Sequence, residues 1–319
     1  MDKKTHLKIK YPVLSLVAVC FLIFIISFCL AFFLFFTKYQ RVSFFNINTD
    51  NTSTSPVLNN GPITDNYNNS NLITGINDNF SLDYDVPPAP QKANSVRIPV
   101  LTYHHVAPLP NGSARDYFVS PKIFDEQMAY LAEKNYNILT PKEFYDILQT
   151  GKNPKQKSVM LTFDDGNKDN YDNAYPILLK YGFTGVFYVP SNRRGIGNSQ
   201  LKEMSNNGMT IDPHGKTHML LSKITDPAVL YDELVVSKIN IQNITGKTSI
   251  SFCYPGCEYN GTVTSTLASN GYLLGFSCGE SIDHRIGSRF VLSRMHVYND
   301  MANFKSILSG VWYYPTFSN

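Results

Sequence analysis

The sequence predicts an α/β domain over residues 96–319, an irregular or incomplete (β/α) barrel. Three observations predict it. Short apolar runs recur from Val96 to about Ser309, and such runs mark strands covered on both faces, as in parallel sheets. Segments long enough for helices stand between them, which is the order of parallel βαβ units. Several such units within roughly 200 residues suit a (β/α) barrel.

The elements follow in order. "RIPVLTY" is a buried-strand candidate, and Ser120 is the N-cap of a helix through "PKIFDEQMAYLAEKN". "NILT" leads into a second helix begun by "PKEFYDIL". "SVMLTF" is the next strand, followed by a helix through "NAYPILLKYG" and the strand "TGVFYV". Then come "GMTI", a long helix from Asp226 to about Thr245, the strand "SISFCY" and a helix near "TVTSTLASNG". "YLLGF", "RFVLSRMHV" and the helix "MANFKSIL" close the domain. No repeat at a fixed period is visible.

Upstream of residue 96 the chain reads differently. Lys3, Lys4, Lys8 and Lys10 precede an uncharged apolar run from Val13 to Phe36. That run exceeds both the ~20 residues a helix needs to cross a bilayer and the ~7–15-residue core of a cleavable signal. No polar stripe breaks it, as one would in a buried core helix. Residues 13–36 are expected to be a membrane anchor, with 1–12 cytoplasmic and the rest of the chain outside. Neither Cys20 nor Cys29 follows a small residue, as a lipid-attachment site would require. Residues 37–95, rich in Asn, Asp, Ser, Thr, Gly and Pro, cannot bury enough surface to offset their ordering entropy. They are expected to form a disordered tether with a reach of ~40 Å. The net charge is only +3, with no basic cluster, which argues against nucleic acid as a partner. Outside the span stand Cys253, Cys257 and Cys278, an odd count. Cys253 and Cys257 could bridge, but the sequence leaves the pairing open.

Two motifs carry the chemistry. "MLTFDDG" ends a buried strand with the adjacent carboxylates Asp164 and Asp165. At a strand's carboxyl end the backbone turns, with Gly166 easing the turn, so that both can face one pocket. "DPHGKTH" places His214 and His218 four apart, a spacing seen in metal-binding pairs. Pro213 and Gly215 favour a turn there instead of a helix interior. Each pair alone has an ordinary explanation: a helix cap with a solvated carboxylate, or two surface histidines. Both follow strands, however, and should share one rim. Two histidines and one carboxylate leave open positions on a divalent ion such as zinc, and the second carboxylate is then free to act as a base.

"TFDDG", the later "H-x-x-x-H" and "CYPG" after a strand together resemble the polysaccharide deacetylases of the NodB-homology type, carbohydrate esterase family 4. The flanking "IPVLTYHHV", "VSPKIFDEQMAYLAEKNYNILTPKEF" and "NGYLLGFSCG" resemble its membrane-anchored bacterial branch. The resemblance implies a hydrolase that removes N-acetyl groups from an amino-sugar polymer at the cell envelope, peptidoglycan or poly-N-acetylglucosamine. It implies Asp164 as base and Asp165, His214 and His218 as ligands of a divalent ion, zinc first, with cobalt, manganese or nickel as alternatives. It also implies an oxyanion-binding backbone amide at Gly256.

Three positions depart from the family pattern. Gly215 replaces a Ser or Thr, removing a supporting contact to the metal loop. Cys253 replaces the Arg expected before Tyr254, so the usual support of Asp164 is missing from that side. Arg294 stands where the family has its proton-donating His, and Arg cannot usefully release a proton. His296, two residues on and on the same strand face, is the candidate acid. His104 and His105 are further candidates, of which at most one should face substrate. An O-acetyl esterase and a glycan-binding relic are the alternative readings. A two-carboxylate glycosidase fits poorly, because adjacent aspartates hardly reach the ~5 Å separation it needs. The "VWYYP" segment near the carboxyl terminus could stack on sugar rings, with a packing or membrane-contact patch as the plainer reading.

Overall fold

A computed structural model describes residues 95–192 and 194–311. The expected cytoplasmic tail, the span at 13–36, the tether as far as residue 94 and residues 312–319, with most of "VWYYP", lie outside them. Among the described residues no helix is long and apolar enough to cross a membrane.

Seven strands organise the domain: β1 (Val100–Tyr103), β2 (Ser158–Phe163), β3 (Val186–Val189), β4 (Thr210–Pro213), β5 (Ser251–Cys253), β6 (Leu274–Phe276) and β7 (Met295–His296). One parallel sheet runs β7-β1-β2-β3-β4, and Asn137–Ile138 pairs with the start of β2. β5 and β6 form a separate parallel pair. Every residue of β1, β2 and β3 is buried, which is why these strands read as unbroken apolar runs. Phe163 stacks between Tyr103 and Phe187, with ring centroids 5.2 and 4.6 Å away. The α/β class is as expected, but the described strands form no closed ladder. Between β4 and β5 the Asp212 carboxylate takes the place of strand pairing, accepting from Ser251 N at 3.0 Å and Ser251 Oγ at 2.5 Å. Beyond β6 a single parallel bridge, Phe276 to Leu292, approaches the segment leading to β7.

The helices match the sequence closely. α1 (Pro121–Glu133) is capped by Ser120, whose hydroxyl accepts from Ile123 N at 3.3 Å. α2 (Pro141–Thr150) starts with a Thr140–Glu143 capping box. α3 (Tyr175–Lys180) follows β2, and α4 (Asn198–Asn206) is a helix the sequence reading did not include. The long helix after Asp226 is α5 (Pro227–Tyr231) and α6 (Ser237–Thr245), joined by a π turn over Asp232–Val236. α7 (Gly261–Ser269) and α8 (Met301–Ser309) complete the set. A disulfide joins Cys257 to Cys278, leaving Cys253 free and buried. That pairing was not the one the close Cys253–Cys257 spacing suggested.

Parallel register decides where the site forms. Tyr103 lies opposite Phe163, Phe163 opposite Phe187, and Val189 opposite Pro213. The carboxyl ends of β1 to β4 therefore share one rim, and the residues that follow them, His104, Asp164 and His214, meet there.

Candidate metal and catalytic site

Asp164 and Asp165 leave the end of β2 in different ways. Asp164 continues the strand, its N–H donating to Tyr103 O at 2.9 Å. Asp165 turns into the left-handed region at φ 72°, followed by Gly166 at φ 63°. A non-glycine residue held there costs about 1–3 kcal/mol and persists where surrounding structure enforces it. Here it swings the second carboxylate toward the histidine loop. At Gly166 even a methyl group would stand 2.9 Å from Val189, so the turn needs glycine for space as well as for φ.

His214 is 2% exposed and follows β4 directly. Its Nδ1 lies 2.8 Å from Cys253 O. A carbonyl can only accept, so Nδ1 carries the proton and Nε2 keeps its lone pair. That lone pair points at Asp165 Oδ1, 3.5 Å away, and His218 Nε2 lies 3.1 Å from the same oxygen. Residues 214–220 are not helical, as Pro213 and Gly215 suggested, and His218 sits at φ 67°. Asp165, His214 and His218 offer ligand atoms that all lie within 4.8 Å of one another. Two imidazole nitrogens and one carboxylate oxygen fit a zinc-like divalent ion, and a backbone carbonyl fixes the His214 tautomer as such sites require.

Asp164 is 3% exposed and is not left unsupported. Arg294, also 3% exposed, grips it with two parallel bonds, Nη1 to Oδ1 at 2.8 Å and Nη2 to Oδ2 at 2.7 Å. This is the strong bidentate geometry of a guanidinium on a carboxylate. Arg294 is itself held by Ser277 O at 3.1 Å and Thr162 Oγ1 at 3.0 Å. Burial would raise the Asp164 carboxyl, but the Arg294 charge and hydrogen bonds bring it below its ordinary value. The guanidinium is missing from the side of residue 253, as expected, and the support of Asp164 arrives instead from the segment before β7. Cys253 Sγ, in the position of the missing Arg, stands 3.6 Å from Asp164 Oδ2.

The candidate donors separate. His105 is tied to Asp169, Nδ1 to Oδ2 at 2.8 Å, and stacks on Phe118. His296 spends Nε2 on Asp116 O at 2.8 Å, and burial lowers its pKa. His104 feels the charges of both Asp164 and Asp165 and lies 5.6 Å from the His296 ring. Its Nδ1 is buried without a partner. Burial lowers its pKa to about 4, while the two aspartates pull the other way. Gly256 lies in the turn Pro255–Cys257 at φ 60°, against Leu220, the second residue beyond His218. A Cβ there would come within 2.5 Å of Leu220.

With that geometry in view, the relatives are informative. The polysaccharide deacetylase family profile matches residues 151–275. A Bacillus subtilis protein assigned to the polysaccharide deacetylases, YxkH, is 30% identical over 210 residues, covering 65% of this chain and 73% of its own. The poly-beta-1,6-N-acetyl-D-glucosamine N-deacetylase of Staphylococcus epidermidis is 28% identical over 203 residues, covering 58% of this chain and 70% of its own. Among solved structures, the Streptococcus pyogenes deacetylase PplD, in complex with acetate, superposes with a TM-score of 0.63 at 28% identity, covering 68% of this chain and 99% of that one. The chain belongs to the polysaccharide deacetylase family.

Proposed function

We propose that this chain hydrolyses N-acetyl groups of an extracytoplasmic amino-sugar polymer, peptidoglycan or poly-N-acetylglucosamine. The observation that carries the reading is the convergence of Asp165, His214 and His218 beside an ionised, guanidinium-held Asp164. In this reading Asp165, His214 and His218 hold a divalent ion, zinc before cobalt, manganese or nickel. Such an ion, when bound, acidifies water and polarises a carbonyl oxygen. Asp164 accepts the proton of the attacking water, because Arg294 keeps it ionised and fixes its direction. The Gly256 amide is assigned as donor to the developing oxyanion, as the family resemblance implies. The released amine takes a proton from His104, whose Nδ1 is unpartnered and which feels both carboxylates. His104 is neutral in the free site, so as negative charge accumulates on the substrate it takes up the proton that Asp164 removed from the water and passes it to the amine. His296 instead anchors the loop through Asp116. The cyclic order of the seven strands is read as an irregular barrel with gaps either side of the β5–β6 pair. The domain is proposed to work outside the cell on the anchor at 13–36 and its tether.

The test is release of acetate or free amine from these polymers, with and without a chelator. Activity that survives both chelation and Asp165→Asn would sink the metal mechanism. For the donor, His104→Asn should lower kcat far more than His296→Asn, and the reverse order would return the role to His296. Protease digestion of intact cells that leaves the domain untouched would overturn the proposed topology.

A further inference from the structure

Between the two candidate histidine ligands lies a three-residue segment, Gly215, Lys216 and Thr217, that is held by one buried carboxylate. Glu233 is 2% exposed. Its Oε2 accepts from Lys216 N at 2.7 Å and Thr217 N at 3.0 Å, and its Oε1 from Thr217 N at 3.2 Å and Thr217 Oγ1 at 2.5 Å. From the other side, Ser191 N donates to Gly215 O at 3.0 Å and Asn192 N to Lys216 O at 2.8 Å. The peptide groups of this segment thus direct N–H groups at Glu233 and carbonyls at the loop after β3. Gly215 makes the approach possible, since a Cβ there would stand 2.7 Å from Glu233 Oε2. Glu233 is delivered by the π turn within Asp232–Val236, where Ser237 Oγ bonds back to Glu233 O at 2.5 Å.

We infer that Glu233 is a positioning residue of the metal loop: its carboxylate clamps the Lys216–Thr217 backbone and so sets the spacing of His214 and His218. The inference rests on the reading that these histidines and Asp165 hold a divalent ion. It gives the Gly215 departure a physical reason. A side-chain hydroxyl at 215 would occupy the space the carboxylate needs, so the loop's support comes from the π turn instead.

The test is zinc affinity of the full chain in detergent, measured by calorimetric titration, with thermal unfolding of the metal-free protein alongside. Glu233→Gln keeps the shape but removes the charge and gives one of the two acceptor oxygens over to an NH2 group, which can donate only to the Thr217 hydroxyl and loses the second Thr217 N contact. Zinc binding should weaken by ~10–100-fold, the range for lost outer partners of a metal site, while the metal-free Tm moves only a few degrees. Thr217→Val removes the hydroxyl contact and keeps both amide contacts, so its affinity should fall between. An affinity for Glu233→Gln within about twofold of native overturns the clamp. Should Glu233→Gln be unfolded without metal, Thr217→Val decides. Weaker zinc binding with a native metal-free Tm supports the clamp, and unchanged binding overturns it. A native chain that binds no zinc, cobalt, manganese or nickel would overturn the metal reading and this inference with it, a result distinct from a native chain that binds and variants that bind equally well.

Discussion

Replacing Arg294 by methionine should destabilise the domain and move its pH profile together, because one guanidinium does both jobs. The side chain makes two bonds to Asp164 and one each to Thr162 and Ser277, all in a buried setting. Removing one partner of a buried ion pair costs about 3–5 kcal/mol, since it leaves the other charge uncompensated. That is a large share of the ~5–15 kcal/mol that holds a typical domain together. The sign with pH follows from the depressed Asp164 pKa. The pair's stabilisation is fully present above the unfolded carboxyl's pKa of ~3.9. It is lost as pH falls through the lower folded value, so the native and variant stabilities should converge in strong acid. In the variant the Arg294 contribution is gone and burial pushes the Asp164 carboxyl up, with only His214 and His104 still pulling the other way. The acid limb of kcat/KM should therefore shift alkaline. Urea unfolding at several pH values and a pH–rate profile measure both effects. Arg294→Met combined with Asp164→Asn should recover most of the stability and none of the activity. A single variant within about 1 kcal/mol of native, with an unmoved profile, would refute the assignment of Arg294 as the support of Asp164.

Three further outcomes follow from the same structure. Asp165→Asn should abolish chelator-sensitive acetate release, lowering activity by more than the ~100-fold typical of losing an outer partner. His284 is buried with Nε2 on Ile98 O at 3.0 Å, and burial lowers its pKa to about 4. The unfolded chain, with a His pKa near ~6.5, then binds the proton first, so stability falls between about pH 6.5 and 4 by about 3 kcal/mol. A variant His284→Gln, followed by denaturant titration across that window, should show a shallower slope. The Cys257–Cys278 disulfide closes a loop with a sequence separation of 21, worth about 3 kcal/mol of unfolded-state entropy. Cys257→Ala with Cys278→Ala should lower the urea midpoint accordingly, and an unchanged midpoint would show that the loop is ordered without the bridge.

Much of the fold was legible because parallel strands buried on both faces leave plain marks. "SVMLTF" coincides with Ser158–Phe163, all of it buried, and Ser120, Thr140 and Asp226 all cap helices through their side chains. "RFVLSRMHV" was less legible, since only Met295–His296 pairs as a strand and Leu292 makes a lone bridge. The convergence of Asp165, His214 and His218 was legible from the histidine spacing and from both motifs following strands, and the turn at Asp165 and Gly166 from the strand's end. Three features were not. A π turn has no sequence signature distinct from an α-helix, so Glu233 looked like an ordinary helical carboxylate. The disulfide depends on the β5 and β6 loops being neighbours, which Cys spacing does not reveal. The partner of Asp164 lay 130 residues along the chain, and only β7 beside β1 brings it there.

Taken position by position, the sequence describes a weakened site: no guanidinium at 253, no hydroxyl at 215, no imidazole at 294. In three dimensions the first two losses are made good from other elements, Arg294 for Asp164 and Glu233 for the histidine loop. The third follows from the first. Arg294 fills the sequence position at which the resemblance implies a proton-donating imidazole, so in the proposed reading the donor approaches from another strand end. β2 is flanked on that rim by the ends of β1 and β3, and of these the proposed donor is His104, the residue after β1, whose buried Nδ1 has no hydrogen-bond partner. What the chemistry constrains is the direction from which each group meets the acetyl carbon. Several strand ends share that rim, and a group lost from one of them can be supplied from the next.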